Sequence, residues 1–150
     1  MSESYDVAII GAGPGGYVAA IRCAQLGMNT VCIDEWKNIK GKASLGGTCL
    51  NVGCIPSKAL LESSENYYQA KYKFSHHGVM VDNVSADVPV MIARKDKIVN
   101  TFTAGIASLF KKNKVKSIHG KGTLLKRELS ADTWIINVSD NGTTETIQAK

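Results

Sequence analysis

The apolar positions of this chain begin with a short run and continue with a stretch of helical spacing. Residues 5–10 form a brief run rich in β-branched side chains, which predicts a buried strand. Residues 17–26 predict a helix that stops at Gly27. Residues 30–33 then predict a second buried strand. The chain therefore opens with a strand–helix–strand unit typical of α/β proteins.

Two further helices are predicted in the middle of the chain. The first begins near Pro56, carries a partial apolar stripe, runs to about His77 and stops at Gly78. A loop is predicted at residues 79–88. Asp87 can cap the second helix, and its apolar residues recur at close to 3.6 spacing, which indicates an amphipathic helix.

Strands are predicted to dominate the end of the chain, at residues 115–118, 123–125, 134–138 and 144–148. Asn141-Gly142 between the last two is a strong hairpin signal. Residues 119–123 predict a turn in which the backbone could approach a ligand closely. The predicted fold is a parallel sheet flanked by helices, with a small antiparallel sheet near the C-terminal end.

Composition makes only small changes to this picture. The chain of 150 residues has 44% hydrophobic and 21% charged residues, as expected for one globular domain. The net charge of +5 is concentrated partly in lysines at residues 111–116, at the predicted end of a helix, where cations complement the helix dipole. No aromatic residues interleave with these lysines, so a nucleic-acid partner is not indicated.

The apolar runs also bear on location. None approaches the ~20 residues needed to span a membrane, so no membrane partner is expected. The first run is too short for the core of a signal peptide. We therefore expect a cytoplasmic protein, with a processed mitochondrial matrix protein as the alternative.

Three glycines, Gly11, Gly13 and Gly16, follow the first strand directly, and Asp34 ends the second. In a Rossmann-type unit the first glycine permits a tight turn, the next lets the backbone approach a pyrophosphate, and the last lets the helix pack on the strand. The helix N-terminus favours phosphates, and the Asp34 carboxylate can accept hydrogen bonds from ribose hydroxyls. The sequence thus predicts an adenine dinucleotide site.

A C-x4-C pair, Cys49 and Cys54, follows this unit, with glycines at 46, 47 and 53. If the two cysteines bond, the segment between them cannot be a regular helix, because their Cα atoms must come within about 7 Å. A helix beginning near Pro56 would lower thiol pKa values at its N-terminus. The pair can equally be small buried hydrophobic residues. A zinc site has less support, because Cys23 and Cys32 lack ligand spacing and suit core packing.

The segment Gly-Gly-Thr-Cys-Leu-Asn-Val-Gly-Cys-Ile-Pro-Ser-Lys at 46–58 resembles the active-site signature of the FAD-dependent pyridine nucleotide–disulfide oxidoreductases. The segments 15–21 and 57–61 are most similar to the dihydrolipoamide dehydrogenase branch of that family. The resemblance covers essentially the whole chain.

The resemblance implies FAD bound along the fingerprint and the cysteine segment. The residues implied as FAD contacts are Gly11, Gly13, Pro14, Gly15, Gly16, Asp34, Gly47, Thr48, Cys49, Lys58 and Gly122. The family usually has Glu at the position of Asp34, so a shorter reach must be accommodated.

The resemblance also implies a redox disulfide between Cys49 and Cys54. Cys49 would exchange with dihydrolipoamide, Cys54 would lie beside the flavin, and electrons would pass through FAD to NAD+. Implied partners are the lipoyl domains of 2-oxo acid dehydrogenase complexes and a second copy of the full-length protein. The basic loop at residues 35–45 resembles bacterial members of the family.

Members of the family are roughly three times longer than this chain. Residues 1–150 would thus be the N-terminal part of the FAD-binding domain, without the NAD-binding and dimerisation domains, and inactive alone. Two alternatives remain: a disulfide reductase of the glutathione or mercuric reductase type, and a non-catalytic FAD-binding redox module.

Overall fold

The computed structural model describes residues 3–150 as an α/β structure. Its strands are Ser4–Tyr5 (β1), Val7–Ile10 (β2), Thr30–Asp34 (β3), Lys116–His119 (β4), Lys121–Glu128 (β5), Thr133–Asp140 (β6) and Thr143–Ala149 (β7). Its α-helices are Pro14–Gln25 (α1), Gly47–Asn51 (α2), Cys54–Tyr72 (α3) and Val88–Lys112 (α4), and a 3-10 helix spans Phe74–His77. No helix in residues 3–150 is long and apolar enough to cross a membrane.

The strands form two sheets, as the sequence predicts. β2, β3 and β4 form a parallel sheet in that order. The second sheet has the order β1-β7-β6-β5, with β1 parallel to β7 and the other pairs antiparallel. The β6–β7 turn has positive φ at both Asn141 and Gly142, 47° and 83°, which matches the hairpin prediction.

The central strand β3 joins two hydrophobic clusters, because side chains alternate between the faces of a strand. Val31 and Ile33 pack with Ile136 and other residues of the second sheet. Cys32 lies on the opposite face, in a cluster that includes Phe110 of α4. Cys32 is fully buried, so its predicted core role is confirmed.

The first predicted strand is wrong in one respect: residues 5–10 are not a single buried strand. The segment divides at Asp6, and β1 joins the second sheet while β2 joins the parallel sheet. The division follows from hydrogen bonding, since the Asp6 backbone N–H donates to Asn29 O and its carboxylate accepts from Asn29 N, both at 2.9 Å. Ile10, at the end of β2, is 49% exposed.

Three other boundaries differ from the prediction. The helix expected near Pro56 begins at Cys54 and ends at Tyr72, and the 3-10 helix continues it to the predicted stop, where Gly78 has φ 73°. The helix expected from residue 17 already begins at Pro14. The turn predicted at residues 119–123 is confined to Gly120, because Lys121 already belongs to β5.

Candidate functional site

The glycine turn between β2 and α1 is held in a tight geometry. Gly11 has φ 100°, and its N–H donates to Ile33 O at 2.7 Å. A Cβ added at Gly16 would lie 1.8 Å from Gly11 O, so only glycine permits this approach of helix and turn. Gly11 and Gly16 therefore have the turn and packing roles that the sequence predicts.

The start of α1 leaves room for a ligand. Gly13 is the N-cap and Pro14 occupies the first helical position. A Cβ added at Gly13 or Gly15 would meet nothing within 4 Å. The first-turn N–H groups of a helix lack intrahelical partners and carry positive dipole charge. This open cradle fits a pyrophosphate group.

Asp34 ends β3 beside this turn, as predicted, but its carboxylate also has structural partners. One oxygen accepts the Ala12 N–H at 2.5 Å, and the other accepts the Trp36 N–H at 2.8 Å. An ionised carboxylate offers about four acceptor positions. Capacity therefore remains for ribose hydroxyls, and that role stays a prediction.

The cysteine segment is not one continuous helix, which satisfies the condition for a bond between its cysteines. α2 contains Cys49, the chain breaks at Val52 and Gly53, and α3 begins at Cys54. A Cβ on Gly53 would lie 3.0 Å from Thr48 O, a contact tight enough that a side chain here would require the backbone to shift by a few tenths of an ångström. Both cysteines are free thiols in this structure.

The thiol electrostatics differ from the sequence expectation. A hydrogen bond with the Cys54 side chain raises the pKa of the Cys49 thiol above its usual value, and the Lys58 charge acts in the opposite direction. Cys49 lies inside α2 and not at the start of α3, so the lowering predicted for the N-terminus of the helix near Pro56 does not extend to it.

The cysteine segment packs directly on the glycine turn. The Gly46 N–H donates to Ala12 O at 2.9 Å. A Cβ on Gly47, where φ is 58°, would lie 2.7 Å from the Cα of Gly13. The backbone of the thiol-bearing helix thus adjoins the predicted pyrophosphate cradle, and Gly47 and Thr48 start that helix.

Lys58 and Gly122 lie farther along the chain. Lys58 is exposed on the first turns of α3, and no ion pair in residues 3–150 includes it. Gly122 lies within β5, where an added Cβ would come within 3.1 Å of Ile10 and 3.3 Å of Ile33. The absence of a side chain at Gly122 thus has a packing reason, at the carboxyl edge of β2 and β3.

A cavity of about 460 Å³ opens beside Asp34, at the carboxyl ends of β3 and β4. Trp36 and His119 contribute to its lining. Within the described chain, Trp36 Nε1 and His119 Nε2 are buried without a hydrogen-bond partner. His119 Nε2 lies 3.9 Å from Asp140 Oδ1, at the outer limit of an ion pair.

Sequence reasoning missed Asn51 and Ser44, whose side chains bond to each other and, through Asn51, to the start of the helix that carries Cys49. Ser44 Oγ donates to Asn51 Oδ1 at 2.8 Å, and Asn51 Nδ2 donates to Gly47 O at 2.9 Å. The position of Asn51 between the cysteines was the available signal, but its partners depend on how the preceding loop folds.

Comparison with protein families identifies the family to which this chain belongs. The model of the family described as "Pyridine nucleotide-disulphide oxidoreductase" matches residues 5–150. The chain belongs to this family. Membership makes it part of an oxidoreductase and implies a flavin cofactor, FAD, for which the glycine cradle provides a fitting site.

Individual relatives are identical to this chain at about half of the aligned positions. It is 55% identical over 133 residues to dihydrolipoyl dehydrogenase 2, mitochondrial, of Arabidopsis thaliana, covering 88% of the chain and 25% of the relative. It is 50% identical over 141 residues to dihydrolipoyl dehydrogenase of Cupriavidus necator, covering 93% and 29%. Leghemoglobin reductase of Vigna unguiculata is 52% identical over 133 residues, covering 88% and 24%. The chain thus spans about a quarter of the length of these relatives.

Proposed function

We propose that this chain carries the disulfide and part of the FAD site of an enzyme that oxidises dihydrolipoamide to lipoamide with NAD+ as the acceptor. The single observation that supports this most is the packing of Gly46 and Gly47 on the glycine turn. That packing places the thiol helix against the cradle where a dinucleotide would bind. The names of the relatives favour the lipoamide substrate.

The residues divide into two groups in this proposal. FAD, when bound, would accept the electron pair of the dithiol for transfer to NAD+. The cradle residues Gly11, Gly13, Pro14, Gly15 and Gly16 would bind its pyrophosphate. Further FAD contacts would come from Asp34 at the ribose, from Gly47, Thr48, Cys49 and Lys58, and from Gly122 at the adenine end.

Cys49 and Cys54 would perform the exchange. A dihydrolipoamide thiolate attacks one sulfur of the Cys49–Cys54 disulfide, at Cys49, and releases the Cys54 thiolate. The second substrate thiolate then attacks the substrate sulfur of the mixed disulfide and releases Cys49. Lipoamide leaves, and the two substrate electrons remain on the cysteine pair.

The remaining parts of the enzyme would lie outside these 150 residues. We propose that the chain is the N-terminal part of the FAD-binding domain, with separate NAD-binding and dimerisation domains. Large apolar side chains exposed on the surface favour a covering by further protein, among them Phe102 at 50%, Leu125 at 57% and Leu129 at 80%.

The proposed partners and location of the protein follow from the same relatives. Lipoyl domains of 2-oxo acid dehydrogenase complexes would deliver the substrate, and the full-length protein would be a homodimer. The basic loop at 35–45 resembles bacterial members of the family, which favours a cytoplasmic protein, and its disulfide chemistry would serve cell redox homeostasis. The alternative is the mitochondrial matrix, since several relatives are named mitochondrial.

A visible absorption spectrum of the purified chain, before and after dihydrolipoamide is added, tests the proposal. We expect flavin bands that gain a long-wavelength shoulder on reduction, because the Cys54 thiolate would lie against the ring. The Cys54→Ser variant should keep the flavin bands and lose the shoulder. A flavin spectrum that does not respond to dihydrolipoamide would contradict the proposed substrate, and a colourless chain would show that these 150 residues cannot hold FAD by themselves.

A second candidate is a family reductase with another acceptor. The relative named leghemoglobin reductase is 52% identical, close to the values for those named for lipoamide. Two further alternatives remain. One is a reductase of the glutathione or mercuric reductase type, and the other is a redox module without turnover. Assays of the full-length protein with each acceptor distinguish these candidates.

A further inference from the structure

We infer that Asn51 is a positioning residue for the cysteine pair: its side chain latches the loop before α2 and thereby holds Cys49 in place for disulfide closure. The inference rests on the proposed function, because it assumes that Cys49 and Cys54 form a redox disulfide. Asn51 itself would exchange no electrons or protons.

The latch consists of three hydrogen bonds around one amide. Asn51 Nδ2 donates to Gly47 O at 2.9 Å and to Leu45 O at 3.2 Å. Asn51 Oδ1 accepts from Ser44 Oγ at 2.8 Å. The amide therefore uses both donors and one acceptor position to join the end of α2 to the loop that precedes its start.

The latched backbone is also the backbone that contacts the glycine turn. Gly46, between the two carbonyls that Asn51 binds, donates to Ala12 O at 2.9 Å. Gly47 approaches the Cα of Gly13 so closely that a Cβ would lie 2.7 Å from it. Asn51 thus bonds the same backbone segment that contacts the dinucleotide cradle, through the hydrogen bond of Gly46 and the close approach of Gly47.

A short helix needs such support. α2 comprises only Gly47–Asn51, and its N-cap is Gly46, which has no side chain to cap the helix. Isolated helices of this length are not stable in water. Without the latch, α2 would sample more orientations, and the Cys49 thiol would spend less time beside Cys54. Disulfide closure depends on that proximity, so the equilibrium constant for closure should fall.

The test measures that constant in glutathione buffers. The reaction is the oxidation of the Cys49–Cys54 dithiol by one glutathione disulfide, which yields the protein disulfide and two glutathione thiols. The variants are Asn51→Ala, Asn51→Asp, which is isosteric but loses both donors, and Ser44→Ala, which removes the bond to Oδ1. Thiols are trapped by alkylation and counted by mass spectrometry, and circular dichroism verifies folding.

A matched control exists at the end of α4. Asn113 Nδ2 donates to Leu109 O at 2.8 Å, the same four-residue amide-to-carbonyl contact as in Asn51, but far along the chain from the cysteines. Asn113→Ala therefore reports what the loss of such a contact does to stability alone. A merely structural Asn51 would behave in the same way and leave the disulfide equilibrium unchanged.

We expect the equilibrium constant to fall about threefold to tenfold in both Asn51 variants, as for the net loss of a hydrogen bond or two. Ser44→Ala should show a fall of about twofold to threefold, and Asn113→Ala should show none. Folded Asn51 variants with the parent constant would overturn the inference while leaving the proposed function intact. A parent protein that forms no Cys49–Cys54 disulfide would overturn both.

Discussion

The close approach of α1 to the glycine turn makes Gly16→Ala the most demanding single substitution that the structure identifies. The new Cβ would lie 1.8 Å from Gly11 O and 2.9 Å from Gly11 C. Contacts under 3.0 Å are essentially never found for real Cβ atoms, so helix and turn must separate by about 1.2 Å. The atoms in the way are backbone, which cannot rotate aside.

The turn resists that separation because it is bonded to the central strand. Gly11 N–H donates to Ile33 O at 2.7 Å, and Ile33 is fully buried. Overpacking of a well-packed site costs typically 1–3 kcal/mol, and a rigid backbone obstacle places this case at the upper end, at about 3 kcal/mol. That loss is a large part of the roughly 5–15 kcal/mol that stabilises an ordinary domain.

Urea unfolding followed by far-UV circular dichroism measures the effect, and Gly15→Ala is the matched control. A Cβ on Gly15 meets nothing within 4 Å, and the residue lies inside the first turn of α1. Alanine is favoured over glycine in helices by roughly 0.5–1 kcal/mol, so this variant should be slightly more stable than the parent. A Gly16→Ala protein within about 0.5 kcal/mol of the parent would refute the packing argument.

The remaining predictions concern three other positions: Gly13, Cys32 and Asp87. Gly13→Ala should leave the unfolding free energy within about 0.5 kcal/mol of the parent, because the added Cβ meets nothing within 4 Å. The same variant should nevertheless weaken flavin binding, measured by fluorescence titration. Unchanged affinity would contradict a cofactor at this glycine. Burial raises the pKa of Cys32 to about 12, so in the folded state at pH 9 iodoacetamide should modify the exposed Cys54 but not Cys32, as read by mass spectrometry. Because that pKa is raised on folding, the contribution of Cys32 to stability is complete below about pH 8.5 and is lost as pH rises toward 12, and Cys32→Ala should flatten this decline. Asp87→Ala should cost about 1 kcal/mol in urea unfolding, because the Asp87 carboxylate caps the Val90 N–H at 3.0 Å, and an unchanged midpoint would show that the cap is not stabilising.

The sequence by itself determined the order of the elements and the candidate chemistry. Local signals were sufficient where a single residue type meets a single backbone requirement, since Asp87 caps α4, Asn141-Gly142 turns the hairpin, and Gly78 terminates the segment after α3. The glycine fingerprint predicted the turn at Gly11 and the packing at Gly16 for the same reason. The family signature at residues 46–58 is likewise a matter of residue types at fixed spacing.

Only the tertiary structure decided which of these segments meet. The division of the first strand at Asp6 depends on Asn29, and the position of Gly46 depends on Ala12, both distant along the chain. The Asn51 latch depends on how the loop before α2 folds back, and the raised pKa of Cys49 depends on the side chain across the break. A hydrophobic pattern records which residues are buried but not which partner buries or bonds them, because burial is non-directional whereas a hydrogen bond requires a particular neighbour at a particular angle.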